Sequence, residues 1–156
     1  MFIGFRFNVT SLSANSYLDN DIYGHQTGDR VLSGIGQLLL NGLRGHDLAF
    51  RYGGEEFLIV LSDTDFDGAC QVAEKLRVSI ESKKFWLNQT KPITASFGVR
   101  IHQKGNTISR TVKQADTALY YAKEHGRNVV GCFDKNHNSS SIDGDVYLLG
   151  GSPGSK

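Results

Sequence analysis

The chain has 156 residues, 39% of them hydrophobic, and a formal net charge of +1, which suits one domain with a sizeable core. So small a charge supplies no broad field for nucleic acid or a membrane surface, and any phosphate-bearing ligand has to be met by local groups. Residues 1–9 are too short for a membrane span and lack a signal-peptide layout, while Cys70 and Cys132 are isolated thiols without metal-ligand spacing; together they predict a cytoplasmic protein with reduced cysteines.

Taken in chain order, Phe5, Phe7 and Val9 alternate with Arg6 and Asn8, predicting a strand over 2–9. From Asp29 to Leu43, the apolar positions Val31, Leu32, Ile35, Leu38, Leu39 and Leu43 recur at helical spacing. Asp29 stands where an N-cap belongs, and Gly45 follows where a helix stops. Two short apolar runs, 48–52 and 57–61, flank Gly53-Gly54-Glu55-Glu56 and predict a hairpin. Ala69, Val72, Ala73, Leu76 and Ile80 predict a helix over 67–83. A strand with a mid-strand glycine is expected over 93–101. Ile108, Val112, Ala115, Ala118, Leu119 and Ala122 predict a helix over 108–125, and a short strand over 129–133 follows. Residues 134–156, rich in Ser, Gly and Asn, read as a mostly disordered tail despite the run Val146-Tyr147-Leu148-Leu149. This order predicts an α/β sandwich, helices packed on a mainly antiparallel sheet.

The hairpin carries the chemistry. Glycine enters positive φ without steric cost, so a Gly-Gly pair suits a tight turn, and its bare backbone lets a phosphate chain lie close. Two carboxylates directly after it suit a hard divalent cation that bridges to substrate phosphates. Taken alone, GGEE is better read as a surface turn with solvated glutamates.

Its neighbours change that balance. Arg51-Tyr52-Gly53-Gly54-Glu55-Glu56-Phe57 resembles the signature loop of the GGDEF family, the diguanylate cyclases, in a GGEEF variant. Asn20-Asp21-Ile22-Tyr23-Gly24-His25-Gln26-Thr27-Gly28-Asp29 is similar to the family's ND-x-YGH-xx-GD segment. Arg44-Gly45-His46-Asp47 is similar to its RxxD motif, nine residues before the first hairpin glycine. Thr94-Ala95-Ser96-Phe97-Gly98-Val99 resembles a core strand, and residues 115–128 resemble the closing helix with its Gly126-Arg127-Asn128 end. The resemblance runs from about residue 20 to residue 133, leaving 1–19 atypical.

The resemblance implies a palm-like nucleotide-cyclase fold and condensation of two GTP molecules into cyclic di-GMP with release of pyrophosphate. It further implies Mg²⁺ or Mn²⁺ and a homodimer whose two sites face each other. By position, Glu55 and Glu56 are the catalytic and metal-binding acids, and Gly53 and Gly54 meet the phosphates. Asn20 and Asp29 read guanine, and Lys123 and Arg127 contact the terminal phosphates. Arg44 and Asp47 form an inhibitory product-binding site. A carboxylate that accepts from guanine N1 and N2 is chemically apt, and an arginine suits bidentate contact with phosphate. Outside the resemblance, Asp29 is a helix cap, Lys123 and Arg127 are cations at a helix C-terminus, and Arg44–Asp47 is a surface ion pair worth roughly 0–1 kcal/mol.

One departure stands against these matches. The family pattern places a metal-binding aspartate eight residues before the asparagine matched by Asn20, and a second two residues later. Those positions hold Leu12 and Ala14, and residues 1–18 contain no Asp or Glu. Leucine cannot ligate Mg²⁺. Three readings therefore stay open: an active cyclase, a silent receptor for cyclic di-GMP or GTP, and a remnant domain with a compromised first strand.

Overall fold

In the computed structural model the described residues are 7–15, 20–134 and 145–150, with side chains described within 27–133 and 146–150. They form β1 (Phe7–Asn15), α1 (Asn20–Gly42), β2 (Leu48–Gly53), β3 (Glu56–Ser62), α2 (Phe66–Ser82), β4 (Thr94–Ile101), α3 (Ile108–Glu124), β5 (Val130–Asp134) and β6 (Asp145–Leu149). The strands hydrogen-bond in the order β2-β3-β1-β4-β5-β6. Only β4 and β5 run parallel, so the mainly antiparallel expectation holds.

Cross-strand register sorts the sheet into two faces, because partners across a ladder share a face and neighbours along a strand do not. Phe57, Ile59 and Leu61 of β3 lie on one face with Ala95, Phe97 and Val99 of β4 and Val130 and Cys132 of β5. Val31, Ile35 and Leu39 of α1 and Ala69, Ala73, Leu76 and Ile80 of α2 complete that buried core. The other face is covered by α3 through Ala115, Ala118, Leu119 and Ala122. It is covered closely because Gly98 and Gly131 stand side by side beneath the helix. A Cβ on Gly98 would collide with the Ala115 carbonyl oxygen and the Leu119 nitrogen, and one on Gly131 with the Ala118 carbonyl oxygen. These are backbone atoms, so the whole helix would have to move. Gly98→Ala is expected to cost about 3 kcal/mol or more, read as a lower urea midpoint; an unchanged midpoint would show that α3 can lift freely.

Several boundaries differ from the sequence expectation. The first strand begins at Phe7 and continues to Asn15 through Ser11, Leu12, Ser13 and Ala14, residues of mostly low strand propensity. It is paired on both sides, by β3 and β4, and two ladders outweigh propensity; residues 2–6 of the expected strand lie outside the described residues. Helix α1 begins at Asn20, nine residues before Asp29. Asp29 is thus an exposed residue within the helix and not its cap; Gly24 and Gly28, poor helix formers, hide the early start. In α3, Ile108 is 70% exposed while Thr111 is buried, its hydroxyl held by the Thr107 carbonyl and His102 Nδ1. Within the expected disordered tail, residues 145–149 instead form edge strand β6, antiparallel to β5.

The two cysteines are not isolated in space. Cys70 of α2 and Cys132 of β5 are buried with their Sγ atoms 2.6 Å apart. Their mutual hydrogen bond, with burial, holds the Cys132 thiol well above the ordinary thiol range. A thiol so held stays protonated and is a poor nucleophile.

Candidate active site at the glycine hairpin

The hairpin joins β2 and β3, and its turn is gripped by a side chain that sequence reasoning passed over. Arg51 donates from Nε and Nη2 to the Gly54 carbonyl at 3.1 and 2.7 Å. The strand register shifts between Arg51 and Gly53, a bulge that sharpens the local twist. The signal available was an arginine three residues before the turn carbonyl, which strand alternation alone treats as an outward-facing charge.

The glycines also do something other than expected. Among the described residues, Gly105, Gly126 and Gly150 are the glycines with positive φ; Gly53 and Gly54 are not among them. A Cβ on Gly54 would meet nothing within 4 Å, and one on Gly53 would meet only Glu56 Oε2, at 3.7 Å. The turn geometry therefore does not require either glycine. What their lack of side chains leaves is open backbone beside two carboxylates, and close approach of a ligand is the remaining physical use.

Glu55 and Glu56 are half-buried at this turn. Lys123, in the last turn of α3, reaches across so that its Nζ lies 3.9 Å from Glu56 Oε1. Sixty-seven residues separate the two in sequence; α3, seated on Gly98 and Gly131, delivers the cation to the same sheet face as Glu56. Arg127 follows, exposed, in the turn after α3, and takes φ +56° between Gly126 and Asn128, which also have positive φ. The structure thus brings Gly53, Gly54, Glu55, Glu56 and Lys123 together, with Arg127 one short turn beyond Lys123.

Other expected members are not gathered. Asn20 opens α1, with its side chain outside the described ones, and Asp29 lies nine residues further along the same helix. At 1.5 Å per residue that is about 13 Å along the axis, so α1 does not bring these two to one point. Arg44 and Asp47 share the turn after α1, but Asp47 is engaged there: Oδ2 accepts from the Arg44 amide at 2.9 Å and Oδ1 from the Ser62 amide at 3.1 Å. The Arg44 side chain is exposed.

For a divalent cation, the hairpin offers the hard oxygens of Glu55 and Glu56. Mg²⁺ is commonly held by one or two carboxylates together with substrate phosphates, and this donor set fits that mode. It offers no more: among the described residues no group of three or more His, Cys, Asp or Glu gathers for a metal. On β1, Leu12 pairs with Phe57 and Phe97, Ser13 with Glu56, and Ala14 with Ala95. The strand that passes next to the acids is in register with them and carries no carboxylate. Among the described residues no helix is long and apolar enough to cross a membrane.

The chain is similar to known proteins of one family. The family described as "Diguanylate cyclase, GGDEF domain" matches residues 18–129. The chain is 42% identical over 111 residues to Diguanylate cyclase DgcM of Escherichia coli K12, covering 71% of this chain and 27% of that protein. It is 40% identical over 113 residues to Diguanylate cyclase A of Treponema denticola, covering 71% of this chain and 30% of that one. The chain therefore spans less than a third of these relatives. Among solved structures, the GGDEF domain of DgcB from Caulobacter crescentus in complex with c-di-GMP superposes with a TM-score of 0.75 at 30% identity, covering 81% of this chain and 77% of that one. The active GGEEF domain of a diguanylate cyclase from Vibrio cholerae gives 0.74 at 32% identity, covering 80% and 81%.

Proposed function

The chain belongs to the GGDEF diguanylate cyclase family, and from that premise we propose that it condenses two GTP molecules into cyclic di-GMP, releasing two pyrophosphates. The observation that carries this reading is the hairpin itself. Two glycines the turn does not need lie beside two acids, and a lysine from the far end of the domain is held against one of them.

In each of two steps the 3′-oxygen of one GTP attacks the α-phosphorus of the other. A new P–O bond forms, the bond to the β-phosphate breaks, and pyrophosphate leaves with its electron pair. Little covalent chemistry falls to the protein; in-line positioning and charge neutralisation do the work. In this reading Glu55 takes the proton of the attacking hydroxyl, and Lys123 and Arg127 meet the charge that accumulates on the leaving phosphates. The bare backbone of Gly53 and Gly54 admits the phosphate chain, and Arg51 keeps that backbone from moving away. Of the two residues expected to read guanine, exposed Asp29 of α1 takes that role in this reading, since α1 sets Asn20 about 13 Å away along its axis. Mg²⁺ or Mn²⁺, held by Glu55 and Glu56, supplies further charge neutralisation when bound. Because each chain offers one such site, two copies in the cytoplasm facing one another supply the two nucleotides.

The test is incubation with GTP and Mg²⁺ or Mn²⁺, followed by chromatographic separation of the nucleotides. Cyclic di-GMP above the protein-free blank is the expected result. Silence with GTP still bound would favour a second reading, a receptor without turnover, which the carboxylate-free run of β1 beside Phe57 and Phe97 supports.

Product binding at the turn after α1 rests on Arg44, since both oxygens of Asp47 already accept backbone amides. Arg44→Ala is expected to weaken cyclic di-GMP binding roughly tenfold or more, the size of a lost charged hydrogen bond, and to spare GTP. Calorimetric titration reads both, and equal product affinity in the variant would remove Arg44 from that role.

A further inference from the structure

The turn that carries Arg127 is built at a conformational cost that helix termination does not explain. Gly126, Arg127 and Asn128 have φ values of +105°, +56° and +50°. Glycine alone suffices to end a helix in the left-handed region, and the Arg127 amide already closes α3 on the Ala122 carbonyl at 3.1 Å. Two further left-handed residues with side chains are strained, and such strain persists only where the surroundings over-determine it.

The surroundings do so through Asn128. Its amide nitrogen donates to Oγ of the buried Ser96 on β4 at 3.1 Å. Its side-chain Nδ2 donates to Glu81 Oε1 at 2.9 Å, and its Oδ1 accepts from Arg77 Nη1 at 2.9 Å. Arg77 and Glu81 are themselves paired on α2 at 2.9 Å, which closes a three-membered ring of hydrogen bonds. The Arg77 side chain is only 7% exposed. Every polar group of the Asn128 side chain is thus committed to α2, while the side chain of Arg127, one residue earlier, is exposed and belongs to none of these bonds. A rigid mount holds a free guanidinium on the same end of α3 as Lys123, which faces the hairpin acids.

We propose that Asn128, clasped by Arg77 and Glu81, is a positioning residue that aims Arg127 at the β- and γ-phosphates of the nucleotide at the hairpin. This rests on the GTP reading above. A guanidinium held in place loses less freedom when it binds phosphate than one on a loose loop, so loss of the clasp weakens triphosphate binding without removing a contact atom.

The test compares 3′-deoxy-GTP, which lacks the attacking hydroxyl and cannot condense, with GMP, which lacks the phosphates Arg127 would meet. Asn128→Gly is the informative variant, because glycine accepts the left-handed backbone freely and only the clasp is lost. Calorimetric titration with Mg²⁺ should show 3′-deoxy-GTP affinity falling about 5- to 10-fold and GMP affinity unchanged. Adding Arg127→Ala to Asn128→Gly should cost much less than Arg127→Ala costs alone, since the two act as one unit. Equal loss for both nucleotides would mean a purely structural clasp and overturn the proposal, as would full additivity or wild-type triphosphate affinity in Asn128→Gly. Failure of the unmodified chain to bind 3′-deoxy-GTP would overturn the GTP reading itself, and the proposal with it. If Asn128→Gly does not fold, Glu81→Gln, which keeps an amide in the ring, should show the same selectivity at about 2- to 3-fold; loss of that selectivity overturns the proposal equally.

Discussion

Glu55→Gln is expected to lower cyclic di-GMP formation by about 10²- to 10³-fold, the worth of several kcal/mol of charge stabilisation at a metal-assisted phosphoryl transfer. The substitution keeps the shape of the side chain and removes its charge and its capacity to take a proton. Glu55 is half-buried in the hairpin turn, and its isosteric replacement away from the core should shift stability by no more than about 0.5 kcal/mol. The pairing of these two results is the point of the experiment. Turnover lost with the unfolding midpoint held assigns the loss to chemistry. Unchanged turnover would remove Glu55 from the site, and a collapsed midpoint would make it a structural residue of the hairpin.

Leu12→Asp is expected to raise turnover about 10-fold or more and to lower stability in the absence of metal. Both effects follow from the position of Leu12 on β1, where it is the register partner of Phe57 on one side and Phe97 on the other. Position 12 shares the sheet face of Phe57, and Glu55 lies two residues before Phe57, so a carboxylate there would add an oxygen donor on the Glu55 side of the turn, with Glu56 on the opposite face. Phe97 and Phe57 are both buried, and a new carboxylate in their row is poorly compensated until a cation neutralises it. Thermal unfolding with and without Mg²⁺ or Mn²⁺ therefore reads the same site as the turnover assay: a ligand that binds only the folded chain raises its midpoint. The variant should gain more from metal than the wild type does, and Leu12→Asn, without the charge, should not. No rise in turnover and no metal-dependent midpoint would show that β1 does not face the cation, and would favour the receptor reading.

These experiments address one imbalance. The hairpin, its Arg51 clamp and its Lys123 partner are all in place, whereas the central strand beside them has leucine, serine and alanine opposite Phe57, Glu56 and Ala95. The palm-like architecture tolerates this because β1 is held by ladders on both sides and needs no carboxylate to pair. Fold and chemistry are separable here: β1 is kept by its neighbours' hydrogen bonds whatever side chains it carries.

How much could be read in advance depended on distance along the chain. The hairpin, the faces of α2 and α3 and the order of elements were legible because each is written in consecutive residues: alternation for strands, three-to-four spacing for helices, punctuation at Gly53, Gly54 and Gly98. The start of α1 was not, since Gly24 and Gly28 argue locally against a helix. Asp29 looked like a cap for the same reason. Nor was β6 legible in a tail of Ser, Gly and Asn, for its five residues gain their order from the ladder with β5.

By itself, the sequence determined which chemistry the chain can present: two acids after two glycines, cations at the end of a closing helix, and no carboxylate before Asp19. Tertiary structure alone decided what those groups meet. It placed Lys123 against Glu56, joined Cys70 to Cys132, tied Asn128 to Arg77 across 51 residues, and left Gly53 and Gly54 without a conformational need for glycine. The physical reason is that backbone propensity acts over a few residues. Contacts between distant side chains are set by how α2 and α3 pack on opposite faces of one sheet, and α3 lies where it does because two glycines side by side let it come that close.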